Sequence, residues 1–161
     1  METSRDMELL LERMPAGRLA VTTEEGPYVV PVNYLFLEGA IYIHSGQTGR
    51  KMEALQADPR VCFLVDEVGP QVVWDQGCGI SQIYASVICF GKAEFVEDPV
   101  EKRRILEAMV RKFVPEDHPL KDQNIAKTAV IKIVIESMSG KTNVLTSAHK
   151  VLNRPQSTEK R

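Results

Sequence analysis

The chain has 161 residues, 43% of them hydrophobic and 26% charged, with a net charge of −2. That is enough for one domain with a full core, and the near-neutral balance gives no reason to expect nucleic acid or an acidic membrane surface as a partner. No apolar run is long enough to span a bilayer, and the charged, amphipathic N-terminus has no signal-peptide core.

The first segment reads as a helix. Met7, Leu10, Leu11 and Met14 fall on one face, Thr3 and Asp6 read as its cap, and Pro15 and Gly17 end it. Such a helix is expected to cover a barrel mouth or to lie across a partner subunit. Arg18–Thr23 is a short strand, Glu24–Pro27 a turn, and Tyr28–Leu37 a second strand rich in Tyr, Val and Phe. Pro31 interrupts that strand. Proline cannot donate to a ladder, so the strand is an edge there or carries a bulge. Either case leaves backbone groups near Val30–Asn33 free, for solvent or for a ligand.

After the Glu38-Gly39 turn comes Ile41–Leu55, the stretch around which the chain is organised. Ile41 and Ile43 alternate as in a strand. Ser45 to Gly49 make a small-residue turn, and Arg50 and Lys51 open a short helix. A turn that aims N–H groups outward, a helix N-terminus and two adjacent cations suit a phosphate. On the residues alone a solvated loop with two surface cations is the commoner reading, since this is no Walker loop or dinucleotide fingerprint.

Asp58-Pro59 stops the helix, and Arg60–Asp66 is an apolar strand suited to a closed barrel. Glu67–Gly79 is expected to be a loop. It holds Gly69-Pro70, Gly77-Cys78-Gly79 and the single tryptophan, Trp74, which would stack on a ligand, pack on a neighbouring subunit or anchor the loop. Ile80–Val96 is a long strand in which Gly91 marks a bulge or bend. Asp98-Pro99 begins a helix with Ile105, Leu106, Met109, Val110 and Phe113 on its apolar face. Val114–Lys127 is read as a connection and Thr128–Glu136 as a last strand. Ser137–Ser147 reads as a polar loop, and the chain from Lys150 as a frayed tail. Three cysteines, Cys62, Cys78 and Cys89, form no C-x-x-C pair. That argues against a disulfide framework or a zinc site and for a reducing cytoplasm. His44, His118 and His149 lack metal-ligand spacing. About six strands with inserted helices and no regular βαβ alternation give a mainly β class, an antiparallel barrel with helices at its rim. One domain over 1–149 with a flexible tail over 150–161 is expected.

The ordered runs GRLAV, YVVPVNYLF, IYIHSGQTGRKMEAL, RVCFLVDE and YASVICFGKAEFVED, from about Met14 to about Lys141, resemble the pyridoxamine 5′-phosphate oxidase-like FMN-binding split-barrel proteins. Within them the chain is most similar to the nitroimidazole-resistance branch. The resemblance implies a six-stranded split barrel and a homodimer with two FMN sites at the subunit interface. It implies that Arg50 and Lys51 bind the FMN phosphate and that Ser45 helps with the phosphate or ribityl chain. Val32, Asn33 and Tyr34 would lie along the flavin ring, with Ser86 a further contact. His44 would stand beside the flavin and act in reduction; taken alone it reads as a hydrogen-bonded wall histidine. The tail, KVLNRPQSTEKR, departs from the basic C-terminal pattern of the oxidase itself, which argues against pyridoxamine phosphate oxidation. There is no long insert to support a deazaflavin. The expectation is a flavoprotein that reduces a small acceptor such as a nitro compound or quinone. The alternative is a non-catalytic flavin- or haem-binding protein, with haem held by His44.

Overall fold

The computed structural model describes residues 3–73, 80–114 and 118–143, and the backbone of 150–151. Trp74, Cys78, Pro115, His149 and the tail beyond Val151 lie outside the described residues. The elements in order are α1 (Ser4–Arg13), β1 (Ala16–Thr23), β2 (Gly26–Asn33), β3 (Leu35–Leu37), β4 (Ala40–Ser45) and α2 (Arg50–Ala57). They continue with β5 (Arg60–Val73), β6 (Ile80–Phe95), α3 (Pro99–Phe113), α4 (Asp122–Lys127), β7 (Ala129–Asn143) and β8 (Lys150–Val151).

The sheet runs β2-β1-β5-β6-β7-β4-β3, with β8 paired to β5, and every pairing is antiparallel. Its two ends, β2 and β3, are consecutive in the chain and separated by Tyr34 alone. The expected second strand, Tyr28–Leu37, is therefore one run of chain in two halves. The first half pairs with β1 and the second with β4, so the run closes the sheet into a barrel. Counted as one, these halves and β1, β4, β5, β6 and β7 make six barrel strands. No hydrogen-bonded ladder joins β2 to β4, and the barrel is split there. Pro31, opposite Arg18, sits on this open edge, where its missing N–H leaves no gap in a ladder.

The barrel is filled by alternate residues of its strands. Leu19, Ile41, Ile43, Phe63, Val65, Val87, Cys89, Ile131 and Ile133 are all fully enclosed. Burial pushes the Cys89 thiol up to about 12, so it is an inert core residue. α1 carries the expected capping box between Thr3 and Asp6 and puts Leu10 and Leu11 into the same core. A second apolar cluster lies outside the barrel. Ile105, Leu106 and Met109 of α3 and Ile125 of α4 pack on Ala40, Tyr42 and Val130. β4 is thus buried on both faces from Ala40 to Ile43.

Several expected loops are structure. Glu67–Val73 continues β5 and pairs with β6, and a register shift between Val68 and Gln71 absorbs Gly69 and Pro70. Ser137–Asn143 continues β7 against β6, although its sequence is polar, because long antiparallel arms satisfy each other's backbone groups. Asp122–Lys127 forms a short helix inside the expected connection. The backbone of Lys150–Val151, expected to be frayed, pairs with Val73 and Val72. Gly91 sits at a register shift between β6 and β7, as expected, and a Cβ there would lie 2.1 Å from the carbonyl oxygen of Val134.

Tyr34 holds the kink between the two half-strands. Its ring is fully buried, its hydroxyl donates to the Leu11 carbonyl at 2.6 Å, and its edge meets Phe63 with centroids 5.0 Å apart. Lys112 of α3 closes the other side. Its Nζ donates to the carbonyls of Met14 at 2.9 Å and Tyr34 at 3.1 Å and lies 4.2 Å from the centre of the Tyr34 ring. Burial lowers its pKa. Replacing Lys112 by Met keeps the stem and leaves both carbonyls without their donor. That change should cost about 1–3 kcal/mol, read as a lowered urea midpoint with an unchanged slope.

Candidate functional site

The split between β2 and β4 collects most of the residues singled out in the sequence. β4 ends at His44 and Ser45, opposite Val130 and Ala129 of β7. Its even-numbered residues face outward towards α3, so His44 follows Tyr42 onto the outer face, beyond the buried part of the strand. The chain then turns through Gly46–Gly49 into α2. Gly49 is the N-cap, with φ of 109°, a conformation open to glycine and strained for other residues. No side chain caps this helix. The N–H groups of Arg50 and Lys51, in its first turn, have no acceptor within it, which is the local condition for binding an anion.

The two cations differ. Arg50 is exposed, pairs with Glu25 of the β1–β2 turn and stacks over Tyr28 at 4.7 Å. These contacts dock the start of α2 on the start of β2. Lys51 is half-buried and has neither an ion pair nor a hydrogen bond among the described residues, and burial lowers its pKa. A half-buried ammonium with no counter-charge among the described residues would gain from a nearby anion. A cleft of about 690 Å³ beside Arg50 is walled by Glu24, Glu25, Glu53 and Asp58. Arg50 itself lines this cleft, and two of its four carboxylates are already paired, Glu25 with Arg50 and Asp58 with Arg60.

At the other end of the split, Asn33 and His44 border a cleft of about 410 Å³ whose far wall is α3 and α4. Both side chains are exposed. Asn33 donates to the Pro15 carbonyl at 3.5 Å, the limit of a hydrogen bond, and His44 has no hydrogen bond among the described residues. Among the described residues nothing makes His44 the hydrogen-bonded wall histidine that the residue alone suggests.

Asn33 and His44 therefore meet at the split, Ser45 follows His44 at the end of β4, and Arg50 and Lys51 open α2 after the turn. Val32 lies next to them on β2, half-buried and packed against the core. Tyr34 differs: its ring is turned into the core and its carbonyl is taken by Lys112, so neither faces the cleft. Ser86 is on β6, three strands from β2 along the sheet, paired with Asp66 and Lys141. One chain does not bring it to Arg50. The sequence reading missed the apolar wall from Leu106 to Phe113, although the amphipathic pattern of α3 was visible. What it lacked was the strand against which that face would pack.

Among the described residues no group of three or more His, Cys, Asp or Glu side chains is placed to hold a metal ion. None of the described helices is long and apolar enough to cross a membrane.

Comparison with known proteins adds a lineage to this geometry. No curated protein matches the chain. A candidate 5-nitroimidazole antibiotic resistance protein from Bacteroides thetaiotaomicron is 33% identical with a TM-score of 0.77, over 87% of this chain and 84% of that one. An FAD-binding protein from Mesorhizobium loti is 28% identical with a TM-score of 0.64, over 86% of this chain and 93% of that one. A flavocytochrome from Azotobacter vinelandii has a TM-score of 0.82 at 21% identity, over 96% of this chain and 72% of that one, which is a likeness of fold. The sequence profile described as pyridoxamine 5′-phosphate oxidase matches residues 3–142. The chain belongs to that family, as a split barrel of its nitroimidazole-resistance-like branch.

Proposed function

We propose that this protein is an FMN-binding flavoprotein that works as a homodimer and delivers electrons to a small acceptor. The observation that carries the reading is Lys51, half-buried and without a counter-charge among the described residues, next to Arg50 at an uncapped helix start. Arg50 would exchange Glu25 for phosphate oxygens, which it can hold in pairs, and Lys51 would add a point charge. Ser45 supplies a hydroxyl at the turn between them and the strand. The FAD-binding relative at 28% identity supports a flavin. FMN rather than FAD is favoured by the carboxylates beyond Arg50, which leave an unfavourable place for a second phosphate.

When bound, the flavin would supply the redox chemistry. The chain's own residues bind and orient. Arg50 and Lys51 fix the phosphate end, Val32 gives an apolar edge, and the Asn33 amide offers a hydrogen bond. His44, without a hydrogen bond among the described residues, would hold or pass a proton at a ring nitrogen to a bound acceptor.

The dimer reading rests on the outer face of β1, β5 and β6. Alternation puts Ala20, Cys62, Leu64, Ile88 and Phe90 outward there, with Val29 beside them on β2. Phe90 is 54% exposed and Val29 57%, a contiguous apolar surface of the kind that marks an interface. Ser86, on the same face of β6, would reach a flavin held by the other copy. A reducing, cytoplasmic setting is the corresponding expectation.

Three measurements test this. Purified protein loaded with FMN and desalted should keep twin flavin absorption bands, and changing Arg50 and Lys51 together to Ala should weaken FMN at least about 100-fold. Retention of FMN by that double variant would remove the phosphate assignment. Phe90→Glu should convert the dimer to monomer in sedimentation, because a symmetric contact would bring two carboxylates together; a dimer that persists would place the interface elsewhere. The second reading, haem held by His44, draws on that imidazole's free position at an apolar cleft. It requires a Soret band that disappears in His44→Ala, whereas the flavin reading requires that variant to keep its FMN.

A further inference from the structure

We infer that Gln47 is a positioning residue for the phosphate end of the site: by tying the turn before α2 to α4, it sets where the first turn of α2 presents Arg50 and Lys51. The inference rests on the proposed phosphate site. It adds to that site a residue that acts through the backbone of the turn rather than on the ligand.

The turn is anchored at its two ends. Before it, Ser45 pairs with Ala129 in the ladder between β4 and β7. After it, the Gly49 carbonyl accepts from the N–H groups of Met52 at 2.8 Å and Glu53 at 3.1 Å as α2 begins. Between these ends, one hydrogen bond among the described residues ties Gly46, Gln47 or Thr48 to another part of the chain. The Gln47 amide donates it to the Ala126 carbonyl at 2.7 Å. Packing does not fix the turn. Every residue from Gly46 to Gly49 is exposed, and a Cβ placed on Gly46 or Gly49 would meet nothing within 4 Å. Gln47 also shares the lining of a cleft of about 250 Å³ with Met52, Gln56, Phe95 and Val130, so the space between the turn, α2 and the end of β6 is not filled by side chains.

The acceptor explains why this bond forms and why it holds. α4 ends at Lys127, and the carbonyls of its last turn have no partner within the helix. The Asn124 carbonyl takes the Thr128 hydroxyl at 2.8 Å, the Ile125 carbonyl takes the Thr128 N–H at 3.2 Å, and the Ala126 carbonyl takes Gln47. α4 is itself fixed, by Ile125 packed among Tyr42, Ile105, Leu106 and Met109 and by Asp122 paired with Arg103. An amide suits this place because it satisfies a carbonyl without adding a charge next to the anion. The start of α2 has a second tether, Arg50 on Glu25 and Tyr28. That tether is given up when Arg50 turns to a phosphate, whereas the Gln47 bond is not. With the anion bound, Gln47 is the contact that keeps the turn in place, and the ordering it supplies beforehand is ordering that binding need not supply.

Equilibrium dialysis of the full chain against FMN tests this as a double-mutant cycle. Gln47→Met keeps the length of the side chain and removes the donor, and Gln47→Ala is a second donor-free variant. Each should weaken FMN about fivefold, with little change in the urea midpoint because water replaces an exposed donor. In the Arg50→Ala, Lys51→Ala background there is little phosphate binding left to position. There the same changes should weaken FMN less than about twofold. Wild-type affinity in both Gln47 variants, or an equal fold-loss with and without the two cations, overturns the assignment. A urea midpoint that falls far enough to account for the lost affinity makes Gln47 a structural residue and also overturns it. Failure of the wild type to bind FMN removes the flavin reading and this assignment with it, so binding by the wild type tells the two failures apart.

Discussion

The kink at Tyr34 is the constraint on which the rest of the molecule depends. A continuous strand from Tyr28 to Leu37 could pair along one edge of the sheet. Turning the chain at Tyr34 lets the same run pair with β1 before the turn and with β4 after it. One end of the barrel is closed covalently and the other is left unzipped. A turn inside a strand gives up ladder bonds, and here the loss is met by specific contacts. The buried hydroxyl reaches the Leu11 carbonyl, the ring packs edge-on to Phe63, and Lys112 takes the freed carbonyl. A buried tyrosine with its hydroxyl satisfied contributes its apolar area without the cost of a stranded polar group. The contacts also tie α1, α3 and the barrel to a single point, so the helices that border the clefts are positioned by the same residue that opens the split.

The electrostatics of the split follow from that opening. Because β2 and β4 diverge, α2 starts in the gap with its N-terminus toward the edge of β2, and Arg50 docks there on Glu25 and Tyr28. The Arg50–Glu25 pair is exposed, so it contributes little to stability and is easily exchanged for a stronger anion. Lys51 is half-buried and has no such stand-in among the described residues. An arginine held by an exposed carboxylate, beside a lysine with no counter-charge among the described residues, is what the proposed phosphate site would start from.

Local chemistry made some of this legible in the sequence. The capping box of α1, the Asp98-Pro99 start of α3, the Gly91 close approach and the run from Ile41 to Leu55 all depend on near neighbours, and each lies where its residues suggest. The misreadings share a different cause. Glu67–Val73 contains Gly69-Pro70, and Ser137–Asn143 is polar, so each looks like loop when taken alone. Both are strands because each finds a long partner in β6, and a pairing between distant segments leaves no local mark. The inward turn of Tyr34 was hidden for the same reason. Within the VNY run nothing distinguishes a residue that faces the cleft, Asn33, from its neighbour that faces the core; the distinction comes from the kink.

Sheet order also limits what one chain can assemble. From β2 to β6 is three strand spacings, roughly 14 Å around the barrel wall, and Ser86 points outward from β6 while the split opens at β2. No side-chain rearrangement closes that gap, because serine is short and the strands between are locked in register. If Ser86 takes part in the same site as Arg50, it does so from a second copy. The apolar row through Ala20, Cys62 and Phe90 lies on the same outer face. The exposed apolar face and Ser86 are thus on one side of the barrel, and the proposed dimer would use both.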